Sequence, residues 1–336
     1  MQTGDIEKIL QSGILSGYRA YPPYDDGGEY VKKFEREFKS YIGSKHALAF
    51  NSATSALHTA LLACGIGAGD RVLTSPLTFS ASASCIKMVG AEVVFGDVHP
   101  HTYCLAEWRS DVQAIIPVHW WGYPTSTPKG VKIIEDATQA IGATRNGKMV
   151  GTFGDCGVFS FNQHKHINTG EGGMLVTDDD EIAEKAKLIR NHGETQSMTL
   201  GYNYRMTEIT AAIGLEGLRN LDSNLKHRRK LCQILTEGLS NIRDLTPPFL
   251  EDGCEHSYYC YAVRTPHRDE IQAKLAEKGI YFGKGGLKPL HLLPFYGGGS
   301  FPEAERVYKE VMFTDIIKSP TPSEAFDIIR EIKGVL

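Results

Sequence analysis

A single lysine, Lys165, lies in a polar turn between two apolar runs that are typical of buried strands. The stretch VFSFNQHKHINTGEGGMLV, residues 158–176, passes from the first run through this turn to a Gly-rich return and the second run. An ammonium group between buried strands must be paired or deprotonated. Chemistry that needs a neutral amine would explain such a lysine, whereas the simpler alternative is that Lys165 only closes a turn.

Two further segments place polar groups where predicted strands end. The strand 46–50 is followed by NSATSA, residues 51–56, in which small and hydroxyl residues open a helix. Free N–H groups at a helix start suit an anion such as phosphate, although ordinary Ser/Thr capping gives the same pattern. The strand 131–134 runs into Asp136, at the kind of strand end where ligand groups gather, and a helix cap is an equal alternative there.

The elements that must position these groups alternate along the chain. Strand-like runs at 71–74, 92–95 and 114–118 join those already named, and helical periodicity covers 31–41 and 78–88. The alternation predicts a mostly parallel sheet between helices. The segment 124–130 is too short and too rich in Pro and Gly for a helix, so we expect one crossover to be reduced to a loop.

The remainder of the chain predicts a second, smaller unit. Helical patterns cover 181–191, 208–218 and 221–239, and the composition then changes around Pro247 and Pro248. A chain of 336 residues exceeds the usual size of one core. We therefore expect a large domain over 1–246 with an N-terminal arm, and a small α+β domain over 247–336.

Composition excludes several classes of partner. The net charge is −4, and the longest basic run, residues 227–230, follows a helical pattern that favours a solvated face over a nucleic-acid site. The seven cysteines form no Cys-x-x-Cys pair and several lie in apolar runs, which indicates free thiols in a reducing compartment. The N-terminus has no signal-peptide pattern, and no apolar run reaches the ~18 residues of a membrane span. The sequence predicts a cytoplasmic protein without nucleic-acid or membrane partners.

The motifs together resemble a known family. In order they are KFEREF, NSATSALHTALLACGIGAGDRV, PLTFSASA, AIIPVHWWGYP, IIEDATQAIGA, SFNQHKHINTGEGGMLVTDD, GYNYRMTEITAAIGL and KPLHLLPFY. This series, from about residue 30 to 296, is similar to the DegT/DnrJ/StrS family of pyridoxal-phosphate (PLP)-dependent sugar aminotransferases. The resemblance implies the aspartate aminotransferase fold (fold type I), in which a large α/β domain carries a mostly parallel seven-stranded sheet and a small α+β domain follows.

The resemblance also implies roles for individual residues. Lys165 matches the catalytic lysine that binds PLP covalently and moves a proton, and Asp136 matches the carboxylate that pairs with the pyridine nitrogen. The other implied cofactor-binding residues are Gln139 near the ring hydroxyl, Ala53, Thr54, Ser55 and Ser160 around the phosphate, Phe79 on the ring face, and Asn203 from the neighbouring subunit. A homodimer with shared active sites is therefore implied. The alternative for Phe79 is a core residue, and the Gly-rich return is interpreted as room for substrate and backbone.

Three residues are candidates for substrate contact, namely His291, His166 and Tyr204. His119, His164, His166 and His291 show no spacing that would combine a helical pair with a third metal ligand, so no metal site is predicted. Satisfied or substrate-facing histidines are the better interpretation.

The function implied by the resemblance is transfer of an amino group from an amino acid, expected to be L-glutamate, to a nucleotide-linked 4-keto or 3-keto sugar, with pyridoxamine phosphate (PMP) as the loaded cofactor. Some relatives replace the lysine with histidine and dehydrate sugars, but Lys165 is kept here. The alternatives are a sugar dehydratase, an aminotransferase of a smaller phosphorylated ketone, and a non-catalytic PLP-binding sensor. Departures from the family pattern, including Ala53, Trp120-Trp121, the 17–30 loop and the short 104–131 region, bear on the substrate.

Overall fold

The computed structural model describes residues 3–19, 26–193, 199–284, 286–314 and 321–336. Part of the predicted 17–30 loop, residues 20–25, therefore lies outside the described residues. Among the described helices, none is long and apolar enough to cross a membrane.

A seven-stranded sheet forms the centre of the N-terminal part. The strands up to residue 177 are β1 (His46–Phe50), β2 (Arg71–Thr74), β3 (Glu92–Phe95), β4 (Ala114–Ile116), β5 (Lys132–Asp136), β6 (Thr144–Arg145), β7 (Lys148–Met149), β8 (Cys156–Ser160) and β9 (Gly173–Thr177). All but β6 and β7 join the large sheet in the order β1-β9-β8-β5-β4-β2-β3. Only β9 runs antiparallel to its neighbours, so the predicted mostly parallel sheet is confirmed.

Helices cover both faces of this sheet. They are α1 (Thr3–Ser12), α2 (Glu29–Ile42), α3 (Ala53–Ala63), α4 (Ala81–Met88), α5 (Asp180–Arg190), α6 (Glu208–Arg219) and α7 (Leu221–Leu239). Met174 and Val176 of β9 belong to the core beneath α2 and α6, whereas Leu175 between them belongs to the core beneath α3, α4 and α5. Alternate residues of a strand enter different cores, which explains why the sequence shows continuous apolar runs.

The crossover from β4 to β5 contains no α-helix. A single 3₁₀ turn, Trp120–Gly122, interrupts an otherwise irregular connection, and β4 and β5 still pair in parallel. The prediction of a crossover reduced to a loop is confirmed. Trp121 in that turn has φ +55°, a left-handed conformation that few non-glycine residues adopt.

The C-terminal part is α+β, as predicted. It contains β10 (Cys254–Glu255), β11 (Tyr261–Arg264), α8 (Arg268–Glu277), β12 (Gly283–Lys284), α9 (Pro302–Glu310), β13 (Val311–Thr314) and α10 (Pro322–Val335). β10 extends the β6–β7 hairpin, and β11-β13-β12 form a separate antiparallel sheet. The core of the C-terminal part also includes Leu231, Leu235 and Leu239 of α7. The packing of side chains therefore continues across the predicted boundary at residue 247. That boundary stays a prediction.

His119 and Glu135 form a buried pair beside β5. Glu135 precedes Asp136 in this strand, so the two side chains point to opposite faces of the sheet. Thr125 N donates to His119 Nδ1 at 3.1 Å, so the ring proton lies on Nε2, which donates to Glu135 Oε2 at 2.9 Å. Both side chains are fully buried. His119 is therefore a satisfied structural histidine, one of the two interpretations that the sequence left open.

Glu135 also organises the turn before β8. Its carboxylate accepts the amides of Gly151 at 2.8 Å, Phe153 at 2.5 Å and Gly154 at 2.7 Å. We predict that Glu135→Gln lowers the free energy of unfolding by about 2–4 kcal/mol, because an amide NH₂ would then oppose buried donors. Urea unfolding measures the change. The exposed Glu107→Gln serves as the control, and a loss equal to that of the control would contradict the proposed role of Glu135.

Candidate active site

Lys165 lies in the turn that follows β8. Its backbone N–H donates to Asn162 O at 2.8 Å, and its Nζ lies 4.5 Å from the centroid of the Tyr259 ring. Burial lowers the pKa of Lys165 to about 8, and the charge of Asp136 acts in the opposite direction. Roughly a tenth of the amine is then neutral at pH 7, against less than a thousandth for an ordinary lysine. A lysine at this position can supply a nucleophilic amine, whereas the alternative of a lysine that only closes a turn does not account for its lowered pKa.

Asp136 ends β5, the parallel neighbour of β8. Its side chain is buried, and each oxygen accepts a short hydroxyl hydrogen bond: Oδ2 from Ser82 Oγ and Oδ1 from Thr138 Oγ1, both at 2.6 Å. Residues 137–143 form turns, so the alternative that Asp136 caps a helix is wrong. The carboxylate is fixed in orientation at the same sheet edge as Lys165.

The β2–α4 loop supplies both a support for Asp136 and an open aromatic ring. Thr78 Oγ1 lies 2.9 Å from Ser82 Oγ, and because Ser82 donates to Asp136, Thr78 must be the donor in this pair. Phe79, between them in sequence, is 54% exposed. A core role for Phe79 is therefore excluded, and its ring is available to stack on a planar ligand.

The start of α3 combines both features that the sequence left open. Ser52 is the N-cap and accepts from Ser55 N at 3.1 Å, while Ser55 Oγ donates within the same turn to Asn51 Oδ1 at 2.6 Å. The Ser55 side chain is thus part of the cap. The first amides of a helix have no acceptor within the helix, so Ala53 and Thr54 can still present their N–H groups to an anion.

The phosphate candidates from β8 and α3 are neighbours in space. Ser160, the last residue of β8, pairs with Gly173 of β9. A Cβ on Gly173 would lie 2.6 Å from Ala53 N, so the start of α3 rests directly on this strand. The structure therefore brings Ser160 together with Ala53, Thr54 and Ser55.

The glycines of the return are explained by backbone packing. Gly170 has φ +82°, and a Cβ on Gly172 would lie 2.8 Å from Thr169 Oγ1 and 3.2 Å from Met206. At Gly173 a Cβ would lie 2.6 Å from backbone atoms of Ser52 and Ala53, so room for backbone is found at that position, whereas room for substrate stays a prediction.

Gln139 is held by the turn that contains the two tryptophans. Its Oε1 accepts the amide of Trp121 at 3.0 Å, and its own carbonyl accepts from Ser257 Oγ at 3.3 Å. Its side-chain NH₂ is the remaining donor for a ligand.

The loop before α6 lies against the start of α3. Asn51 N donates to Tyr204 O at 2.8 Å, and Asn51 Nδ2 donates to Asn203 O at 3.1 Å. The Asn203 side chain is exposed, whereas Tyr204 stacks on Tyr202 and its hydroxyl lies 3.2 Å from His58 Nδ1. Asn203 thus faces outward beside the predicted phosphate position, and Tyr204 is engaged with α3.

The two candidate substrate histidines have different surroundings. His166 Nε2 lies 2.9 Å from Ser257 O, so it must donate, and burial together with the Arg228 charge lowers the pKa of His166 to about 3. His291 is buried, with Nε2 3.2 Å from Glu305 Oε1. The structure places His166 beside the lysine and directs His291 toward α9. Within the described ranges, no cluster of three or more His, Cys, Asp or Glu side chains could hold a metal ion.

Sequence reasoning missed Ser82, Thr138 and Tyr259. Ser82 lies in the motif PLTFSASA and Thr138 in the motif IIEDATQAIGA. The hydroxyl groups in these two motifs were the sequence signal that could have indicated hydrogen bonds to Asp136. Tyr259 reaches the lysine from the C-terminal part of the chain. No local pattern announces such a contact.

A lysine with a lowered pKa and a fixed carboxylate at adjacent strand ends match the pair that the resemblance to fold-type I aminotransferases implies. The chain belongs to the DegT/DnrJ/EryC1/StrS aminotransferase family, whose sequence model matches residues 23–333. The resemblance stated from the motifs is thereby confirmed.

Individual relatives have names that point to sugars and to regulation. The chain is 33% identical to a dTDP-3-amino-3,4,6-trideoxy-alpha-D-glucose transaminase of Micromonospora megalomicea subsp. nigra, over 98% of this chain and 93% of the relative. It is 39% identical to a pleiotropic regulatory protein of Geobacillus stearothermophilus, over 85% and 83% of the two chains. The PLP form of a putative sugar aminotransferase from Streptococcus pneumoniae matches with a TM-score of 0.88 at 26% identity, covering 99% and 95%.

Proposed function

We propose that this protein is a PLP-dependent aminotransferase that moves an amino group from L-glutamate to the 3-keto or 4-keto group of a nucleotide-linked sugar. The observation that carries the proposal is the pairing of Lys165 and Asp136 at the carboxyl ends of adjacent parallel strands. The relative named as a dTDP-sugar transaminase supports a nucleotide-linked acceptor. The PLP form of the structural neighbour supports the cofactor.

The residues present fit PLP. Its aldehyde needs a neutral amine, its ring nitrogen a carboxylate, and its phosphate a set of N–H donors. Lys165 has a lowered pKa, Asp136 is buried and oriented by Ser82 and Thr138, and the start of α3 presents small residues beside Ser160. When bound, PLP supplies the electron sink for the carbanion of the amino-acid substrate.

Each group then has a definite task. Lys165 Nζ would hold the cofactor and, as a free amine, would accept and return the proton of the substrate carbon. Asp136 would keep a proton on the ring nitrogen of PLP. The exposed ring of Phe79 would be available to stack on the cofactor, and the Gln139 NH₂ would be available to its ring hydroxyl.

We also propose a homodimer with shared active sites and a cytoplasmic location. The exposed Asn203 beside the start of α3 supports the first, because a neighbouring copy could accept it as a phosphate ligand. The seven free cysteines support the second.

The direct test is the half-reaction with L-glutamate. We expect the absorption band of bound PLP to convert to that of PMP, and a panel of 3-keto and 4-keto sugar nucleotides to restore it. With ¹⁵N-glutamate, the sugar product should retain the label. The result would measure both the donor and the acceptor position.

The same experiment separates the alternatives. A sugar product without label would indicate a dehydratase, and restoration only by small phosphorylated ketones would replace the sugar acceptor. The name of one relative, a regulatory protein, supports the alternative of a non-catalytic PLP-binding sensor. Bound PLP that fails to convert with any amino acid would favour that sensor and contradict the proposed activity.

A further inference from the structure

The ring of Tyr259 faces the amine of Lys165. The distance from Nζ to the ring centroid is 4.5 Å, within the range in which an aromatic face attracts a cation. Lys165 is half-buried, which strengthens such an attraction because part of the competing solvent is removed from the ammonium.

The backbone of Tyr259 is fixed from the crossover side. Its N–H donates to Trp121 O at 2.9 Å, and the Trp121 amide in turn donates to Gln139 Oε1. The left-handed conformation of Trp121 orients its N–H toward Gln139 and its carbonyl toward Tyr259 N. Gln139 and Trp121 together therefore determine where the backbone of Tyr259 lies.

The residues before Tyr259 are held on two sides. Ser257 N donates to Gly122 O at 3.1 Å, and Ser257 O accepts from His166 Nε2 at 2.9 Å. A Cβ on Gly122 would lie 2.9 Å from Tyr258 N, so only glycine permits this approach. His166 adjoins Lys165 in sequence, and the lysine turn is therefore tied directly to the segment that carries the ring.

We propose that Tyr259 is a positioning residue for Lys165. The face of the Tyr259 ring stabilises the ammonium form of the lysine and thereby sets the proportion of neutral amine. This inference rests on the proposed function, in which Lys165 binds PLP. Whenever Lys165 is not bound to the cofactor, the ring of Tyr259 stabilises the protonated Nζ at a defined position. The Trp121–Gln139 and Ser257–His166 contacts serve to keep the ring there.

Other titratable groups near Nζ do not replace this effect. The Asp136 carboxylate and Cys260, in its thiolate form, both raise the pKa of Lys165, and both side chains are still present in Tyr259→Leu and Tyr259→Phe. His166 stays neutral above pH 5, since burial lowers its pKa to about 3. Between pH 6 and 10 the ring contact can therefore be tested separately.

The test measures how fast PLP attaches to the cofactor-free protein between pH 6 and 10. Loss of the ring removes a stabilisation of the ammonium and lowers the midpoint of the profile. For Tyr259→Leu we expect attachment about five-fold faster at pH 7 and equal to the wild type above pH 9. Tyr259→Phe should keep the wild-type profile, and Tyr281→Leu, at a tyrosine that is 77% exposed, controls for the substitution itself.

A Tyr259→Leu profile that coincides with the wild type, or moves to higher pH, overturns the proposal. Phenylalanine with one, two or three ring fluorines at position 259 tests the proposal without a large change of side-chain shape that could affect folding. Each fluorine weakens the attraction of the ring face for a cation. The midpoint should fall stepwise, and an unchanged midpoint again overturns the proposal. If Lys165→Ala attaches PLP like the wild type, the proposed function itself fails instead.

Discussion

Lys165→Ala is expected to lower kcat for amino transfer by on the order of 10⁴-fold or more, because one side chain supplies both the covalent attachment and the proton transfer. The absorption band of covalently bound PLP should be lost with it. Transfer of ¹⁵N from glutamate to the sugar nucleotide measures the rate, and borohydride fixation followed by peptide mapping locates the attachment.

Lys165→Arg is the matched variant for this prediction. It keeps a cation at the position, but a guanidinium does not deprotonate in this pH range and cannot form the bond. It should be as inactive as the alanine variant. Small exogenous amines should partly restore proton transfer in Lys165→Ala, where space is available, and not in Lys165→Arg. Turnover of either variant near the wild-type rate would refute the assignment.

The wild type should also show a pH dependence with a definite sign. Burial lowers the pKa of Lys165 to about 8, so the neutral amine increases as the pH rises from 6 to 9. Attachment of PLP should accelerate across this window and then become constant. An ordinary lysine would continue to gain reactivity beyond pH 10.

Asp136→Asn is expected to have the second largest effect, a fall in kcat of about 10²–10³-fold. The substitution is isosteric, but a neutral amide cannot keep a proton on the ring nitrogen, and the electron sink is weakened. Lys165 remains, so PLP should still attach. The variant therefore separates cofactor attachment, read from the absorption band, from amino transfer, read from ¹⁵N in the product.

Asp155→Asn is the control for this carboxylate. Asp155 immediately precedes β8 and joins it to β5 at the strand ends remote from Lys165, through Ile133 N at 2.8 Å and Lys132 Nζ at 3.0 Å. We expect this variant to lose some stability and keep its amino transfer. Equal losses of activity in the two variants would mean that Asp136 acts through the strands and not on the cofactor.

Regular elements were predictable where the chain packs on both sides. Strands 46–50, 71–74 and 92–95 have the predicted bounds, because their buried residues form short apolar runs. β6, β7, β10 and β12 are two residues long and carry no such pattern. β11 begins only at Tyr261, since Tyr258 has φ +51° and leaves the extended conformation.

The sequence by itself determined the chemistry: a lysine after one strand, an aspartate after another and a small-residue helix start, in an order that identifies the family. Tertiary structure decided what each group experiences. Burial lowers the pKa of Lys165, hydroxyls from the first turn of α4 and from the turn after β5 orient Asp136, and Tyr259 reaches the amine from the C-terminal part of the chain. The physical reason is that residue type and order reside in the chain, whereas desolvation and contacts between distant segments exist only once the chain is folded.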